Sequence, residues 1–290
     1  MSCAEQRATA IAETLLANGF CLVTGAMPPR KVEAIDRDLA PSFGNTPFCT
    51  GHFYGNCTRR FGRLLLRSVH AEAFVRHEAI LRAAEHILAP ACDTVQLNLT
   101  QGIAIHPGEV AQMPHRDQDM WRLGPGAAEC LVNVIWPFTP FTRQNGATRI
   151  WPRSHGPAAR EDPPDGEGLQ IEMEPGDALV FLGSALHGAG ANTSGDVRRG
   201  MIAGYCLGWL KPYENQWLAY PPAIARRFSP ELAALVGYRQ HRPNLGNHEG
   251  LCPSLLLGKD PPRNCGASDA LLPAQAAAVA EHAASQRGSR

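Results

Sequence analysis

The stretch from residue 93 to residue 210 breaks into short apolar runs divided by turn residues, and no other feature constrains the fold as much. In DTVQLNLT (93–100), Val95, Leu97 and Leu99 alternate with polar neighbours, the period of a strand with one buried face. A second short strand and a turn occupy 102–108, and AQMPHRD (111–117) reads as a third strand. ECLVNVIWPF (129–138) is apolar and β-branched. Asn145 and Gly146 mark a turn before ATRIWP, and a Pro/Gly/Asp-rich excursion covers 156–168. LQIEMEPGDALVFLG reads as a hairpin turning at Pro175-Gly176-Asp177, and 198–210 ends the series as a long strand. Short strands without alternating helices argue against a parallel βαβ sheet and for an all-β sandwich or barrel.

The flanks read differently. Residues 5–17 form an amphipathic helical pattern on Ile11, Leu15 and Leu16, stopped by Asn18-Gly19. FCLVTG (20–25) is a short buried strand, and Pro28-Pro29 opens a second helix through Val32, Ile35 and Leu39. Residues 41–58 are rich in Gly, Pro, Asn and aromatics; this long loop is either a lid or binding segment or a surface connection. Residues 71–88 read as one helix. Beyond 210 come two short helical patterns (221–238), an irregular stretch (242–258) and an Ala-rich end (269–285), a terminal helix or a frayed tail. The expected organisation is one domain over 1–290. Helical decoration reaches about residue 90, a β core spans about 91–210, and a helical and irregular extension follows over 211–290.

Three residues carry the candidate chemistry. His115 and Asp117 are two apart, so on a strand both side chains leave one face. They supply two-thirds of a 2-His-1-carboxylate iron site, and His187, after the apolar run DALVFLG, is the candidate third ligand. Chance alone gives roughly 0.4 H-x-D triplets in such a chain, so a surface His–Asp pair is the plain alternative. Arg198 begins the next strand. Its forked guanidinium suits a carboxylate, and a buried Arg needs an anionic partner, whereas Arg199 next door should face the other way. His70 and Glu72 read as surface groups, as do His241 and His248.

The 27 basic and 27 acidic residues cancel, which argues against nucleic acid or an anionic membrane as partner. Arg59, Arg60, Arg63 and Arg67 read as a solvated or ion-paired face. Nine dispersed cysteines without a C-x-x-C pair fit reduced thiols. With no signal-peptide pattern and no apolar run near the roughly 18 residues of a membrane span, a cytoplasmic protein is expected.

From about residue 19 to residue 217 the chain resembles the phytanoyl-CoA dioxygenase family of Fe(II)/2-oxoglutarate oxygenases. Besides H-x-D, the distal His and Arg198, the likeness includes GATRIWPRSH (146–155), EPGDALVF and the N-x-S at 192–194; Arg153 stands where the family commonly has Gly. The resemblance implies a mainly β fold with flanking helices, a double-stranded β-helix (jelly roll, cupin-like). It implies that His115, Asp117 and His187 hold Fe(II) as metal ligands and catalytic residues, with 2-oxoglutarate and O2 as co-substrates. Arg198 would pair with the distal carboxylate of 2-oxoglutarate. Gln112, in a Q-x-x-H-x-D pattern resembling an alkaloid and meroterpenoid subgroup, and Thr148 are further co-substrate candidates; a structural hydrogen bond is the alternative for each. Trp121, Phe53, Tyr54 and Asn133 are candidate substrate contacts, and Trp217 a possible cover for the site or an interface.

The expected function is a dioxygenase that hydroxylates, desaturates or rearranges a small hydrophobic natural-product metabolite and releases succinate and CO2. The retained Asp117 argues against halogenation. One alternative is a hydroxylase of a free amino acid or similar polar molecule, whose pocket would carry polar anchors in place of aromatics. Another is a metal-binding jelly-roll module without turnover. The expected partner is a small molecule, with a homodimer left open.

Overall fold

The computed structural model describes residues 2–124, 126, 128–156, 166–261 and 264–288. Helix α1 (Cys3–Asn18) is capped by Ser2, whose hydroxyl accepts from the Glu5 N–H at 3.2 Å, and it ends at Gly19, held at φ 85°. Strand β1 (Phe20–Val23) leads into α2 (Pro29–Asn45), then β2 (Thr58–Phe61) and the helices α3 (Leu64–Arg67), α4 (Ala71–Val75) and α5 (Glu78–Leu88). The strands β3 (Val95–Ile105), β4 (Leu131–Pro137), β5 (Thr148–Ile150), β6 (Leu169–Ile171), β7 (Ala178–Leu182), β8 (His187–Ala189) and β9 (Arg198–Leu207) follow. Short helices α6 (Gln216–Ala219), α7 (Pro222–Ala225) and α8 (Pro230–Leu235) and the terminal α9 (Pro273–Gly288) close the chain.

Six strands form one antiparallel sheet in the order β1-β7-β4-β9-β3-β2, and β6-β5-β8 form a smaller one. A cavity between them takes wall residues from both, and the architecture is a jelly roll with flanking helices. Strand alternation sorts the side chains of the large sheet. On β4, Leu131, Asn133 and Ile135 face the cavity, while Trp136 lies edge-on to Phe74 of α4, ring centroids 5.2 Å apart. On β9, Arg198 and Ile202 face the cavity. Tyr205, on the other face, donates its hydroxyl to the Val75 carbonyl at 2.7 Å. The helices thus bury the outer face of the large sheet, and the inner face is left for the site.

Several elements depart from the sequence expectation. Helix α2 runs through Pro41 to Asn45, because Phe43 in its last turn is buried against Phe61, ring centroids 4.8 Å apart. The expected helix over 71–88 is two helices, broken at Arg76-His77, where the His77 ring reaches the Ala26 carbonyl at 3.1 Å. The two strands expected over 93–108 are one, β3, with a bulge between Leu97 and Leu99. LQIEMEPGDALVFLG is not a hairpin: β6 pairs with β5, whereas the wholly buried β7 pairs with β1 and β4. The turn at Pro175-Gly176-Asp177 is a corner between sheets, with Gly176 at φ 108° accepting from the Met27 N–H at 2.8 Å. The Ala-rich end is a helix, α9. Much of the 156–168 excursion lies outside the described residues.

Candidate active site

AQMPHRD is not a strand. His115 forms a single antiparallel bridge with His187, its N–H donating to the His187 carbonyl at 2.9 Å and the His187 N–H returning at 3.0 Å. Pro114 just before it has no N–H with which to extend the ladder. Asp117 then opens a 3-10 turn (Asp117–Trp121). The bridge itself sets the two imidazoles side by side, ring centroids 4.5 Å apart, and the turn folds the carboxylate back between them. One Nε2···O distance is 3.3 Å (His115 to Asp117 Oδ1) and the other 3.4 Å (His187 to Oδ2). All three donor atoms lie within 4.8 Å of one another.

The donor set fits a metal. Each imidazole places Nδ1 against a backbone carbonyl: His115 against Met113 at 2.9 Å, His187 against Ala185 at 3.0 Å. With the proton on Nδ1, each Nε2 presents a lone pair to the same point. Asp117 Oδ2 accepts from Asn133 Nδ2 at 2.7 Å, which fixes the carboxylate. Burial works against the charged carboxylate, but the fields and hydrogen bonds of His187 and His115 outweigh it and hold the acid well below its ordinary range. His187 is buried as well, and Asp117 raises its pKa in spite of that.

Arg198 reaches the cavity from the start of β9. It is buried, lies over the Phe141 ring with its guanidinium 4.0 Å from the centroid, and donates to the Gly146 carbonyl. Among the described residues no carboxylate pairs with it. Burial, with a further push from Arg60, lowers its pKa to about 9. Arg199, on the opposite face, forms a two-pronged pair with Asp36 of α2 at 3.1 and 2.7 Å.

Arg60 is the residue that sequence reasoning missed. Of the four arginines 59, 60, 63 and 67, expected on a solvated or ion-paired face, Arg63 and Arg67 are exposed, and none forms an ion pair among the described residues. Arg59 donates to the Phe43 and Gly44 carbonyls and Arg67 to that of Gly62, while Arg60 on β2 lines the cavity. Its Nη1 donates to Gln101 Oε1 at 3.1 Å, its guanidinium lies 5.6 Å from the centroid of the Tyr54 ring, and its Nε has no partner among the described residues. The available signal was the apolar Phe61 beside it, which marks a strand whose alternate residue must face inward.

The cavity encloses about 320 Å3. Gln112 is on its wall, its amide tied to the Phe53 carbonyl at 3.1 Å and to the Ala189 N–H at 3.3 Å. Thr148 also lines it, with no hydrogen bond to its hydroxyl among the described residues. Phe53 stacks edge-on against His115 at 4.9 Å, and the Tyr54 hydroxyl meets that of Tyr213 at 2.8 Å. Asn133 lines the cavity floor. Trp121 does not belong to the wall. Its indole N–H donates to the Lys211 carbonyl at 2.8 Å, and Met120 faces the cavity in its place. The 3-10 turn, absent from the strand reading, rotates Trp121 outward.

Residues 15–200 match the family model described as phytanoyl-CoA dioxygenase. The chain is 32% identical over 256 residues to a multifunctional dioxygenase, ausE, of Aspergillus calidoustus, covering 80% of this chain and 85% of that one. It is 29% identical over 262 residues to the dioxygenase FrzG of a Cladobotryum species, covering 81% and 86%. Among solved structures, the fold is similar to the non-heme alpha ketoglutarate dependent epimerase SnoN from nogalamycin biosynthesis (TM-score 0.56, 17% identity, 70% of this chain and 84% of that one). It is also similar to HygX from Streptomyces hygroscopicus, solved with nickel, 2-oxoglutarate and hygromycin B (TM-score 0.54, 10% identity, 71% and 89%). By sequence, the chain belongs to the phytanoyl-CoA dioxygenase family and is an oxidoreductase of the dioxygenase kind.

Proposed function

We infer that the protein is an Fe(II)- and 2-oxoglutarate-dependent dioxygenase that oxidises a small, largely apolar natural-product metabolite by hydroxylation, desaturation or rearrangement. The observation that carries this reading is the His115-Asp117-His187 donor set facing the same cavity as a buried arginine, Arg198, that lacks an acid. SnoN has been solved with Fe3+ and alpha ketoglutarate, and HygX with nickel and 2-oxoglutarate, which supports the same cofactor and co-substrate here.

His115, Asp117 and His187 would hold the iron, and Asn133 keeps the Asp117 carboxylate oriented. Iron bound there would supply the oxidising chemistry, with 2-oxoglutarate and O2 consumed and succinate and CO2 released. Arg198 binds the distal carboxylate of 2-oxoglutarate, which gives its buried charge an anion and restores the pKa that burial lowers. Arg60 adds a second positive charge to the same cavity, and Thr148 offers a free hydroxyl. The rest of the wall mixes an apolar patch of Leu99, Ile103, Leu131, Ile135, Phe181 and Ile202 with polar groups such as Asn98 and Gln101. Such a wall favours a largely apolar metabolite whose few polar groups would meet Arg60, Asn98, Gln101 or Thr148. Phe53 and Tyr54 at the rim would contact that substrate. The carboxylate of Asp117, retained in the donor set, favours oxidation over halogenation.

The test is an anaerobic titration of apo-protein with Fe(II) and 2-oxoglutarate, read as the visible charge-transfer absorption. The expected result is a saturable band that Arg198→Ala weakens and His115→Ala abolishes. A folded wild-type protein that develops no band overturns the reading.

A further inference from the structure

A second cavity, of about 560 Å3, lies beyond the barrel where the segment after β9 folds back over the start of β3 and beside α8. Its size falls within the range of small-molecule sites. Trp209 and Trp217 line it, both half-exposed. Each indole is held at its edge: the Trp209 N–H donates to the Ala91 carbonyl at 2.8 Å and that of Trp217 to the Gly237 carbonyl at 3.2 Å. Gly237, at φ 98°, makes this seat possible, since a Cβ there would lie 2.8 Å from Trp217 Nε1. Anchored edges leave the ring faces for stacking.

The charges of this cavity have one sign. Lys211 and Arg239 are on its rim, neither has an acidic partner among the described residues, and no described residue lining the cavity is acidic. On its floor Gln216 is 3% exposed, its Nε2 donating to the Asn98 carbonyl at 3.3 Å. Stacking surfaces beside unpaired cations describe one kind of occupant. We propose that this cavity is a binding site for a planar aromatic acid, distinct from the active cavity. The ring stacks on the indole faces, and the carboxylate meets Lys211 and Arg239. The segment at Lys211 to Tyr213 separates the two sites: Trp121 bonds to the Lys211 carbonyl, and Tyr213 lines both cavities.

Calorimetric titration of the protein, loaded with nickel and 2-oxoglutarate, uses indole-3-carboxylate and its neutral twin indole-3-carboxamide as probes. The expected result is saturable one-to-one binding of the acid, with the amide weaker by roughly tenfold. In a Lys211→Met, Arg239→Met double variant the two probes should bind alike, and Trp217→Ala should lose most binding of both. The two surface substitutions keep the test readable if Trp217→Ala does not fold. The proposal is overturned if no saturable binding occurs or if acid and amide bind equally to the wild type. It is also overturned if Arg198→Ala abolishes acid binding while the double variant leaves it intact, because the probe is then in the active cavity. Light scattering that reveals a dimer dissociated by the probe assigns the cavity to a second copy of the chain and overturns it too.

Discussion

Asn133 links the floor of the cavity to the donor set through a single bond, Nδ2 to Asp117 Oδ2. Removing it leaves the carboxylate in place but free to rotate. Asn133→Ala should therefore weaken Fe(II) affinity by about tenfold to a hundredfold, the range for partners that orient a ligand, with a near-normal melting temperature. Equilibrium dialysis of iron checks it. Arg60 predicts a different signature. If its charge serves 2-oxoglutarate, Arg60→Ala raises the KM for 2-oxoglutarate by roughly tenfold and leaves iron binding unchanged. Steady-state succinate release at varied 2-oxoglutarate separates the two effects. Legibility also differs between these residues. The H-x-D pair, His187 and Arg198 were readable because their types and spacing suit a metal and a carboxylate and the family resemblance singled them out. Arg60 was not, since four clustered arginines look alike until the pairing of β2 with β3 turns one inward.

At the level of elements, the loop after β5 has a local conflict. Arg153 adopts φ 60°, a left-handed conformation that suits glycine. Its N–H still donates to the Asn18 carbonyl at 2.8 Å, so the backbone shape is in use. Arg153→Gly should stabilise the protein by about 0.5–1 kcal/mol, the relief from the strained backbone exceeding the entropy a glycine adds to the unfolded chain. Chemical denaturation at fixed slope measures it. Strand identity was legible from apolar content for β1, β3, β4, β7 and β9 but not for β2, and strand partnership was not legible. The run from β6 to β7 has the composition of a hairpin, and only the burial of β7 between β1 and β4 makes its turn a corner. The 3-10 turn at Asp117 escaped for a similar reason: a single bridge after a proline does not sustain a strand.

For the whole molecule, stability depends on pH through a carboxylate outside the active cavity. Glu129, just before β4, accepts from the Ser184 hydroxyl at 2.7 Å, and burial raises its pKa despite that bond. A folded-state pKa above the unfolded value means that folding favours the protonated acid. Its contribution is full below the unfolded pKa and is lost as pH rises through the folded one. Glu129→Gln keeps an acceptor for Ser184 and removes the charge. At neutral pH the variant should melt about 2 °C higher than wild type, and the gain should vanish in mild acid. Thermal scans over a pH series decide it. No helix among the described residues is long and apolar enough to cross a membrane, and all nine cysteines are free thiols.

The neighbours Arg198 and Arg199 show what β9 demands of any lineage that carries it. One reaches the cavity, and the other holds α2 through Asp36. A residue inserted into β9 just after Arg199 would draw both arginines back by one place and bring Arg199 to the cavity face. Asp36 of α2 would lose its cation while the cavity kept one, so the tie to the helix would fail before the site lost its charge. Point substitutions can adjust this strand by degrees, whereas a change in its length shifts every side chain at once. Variation in length is therefore to be sought in the segments around it, where no two functions share one register.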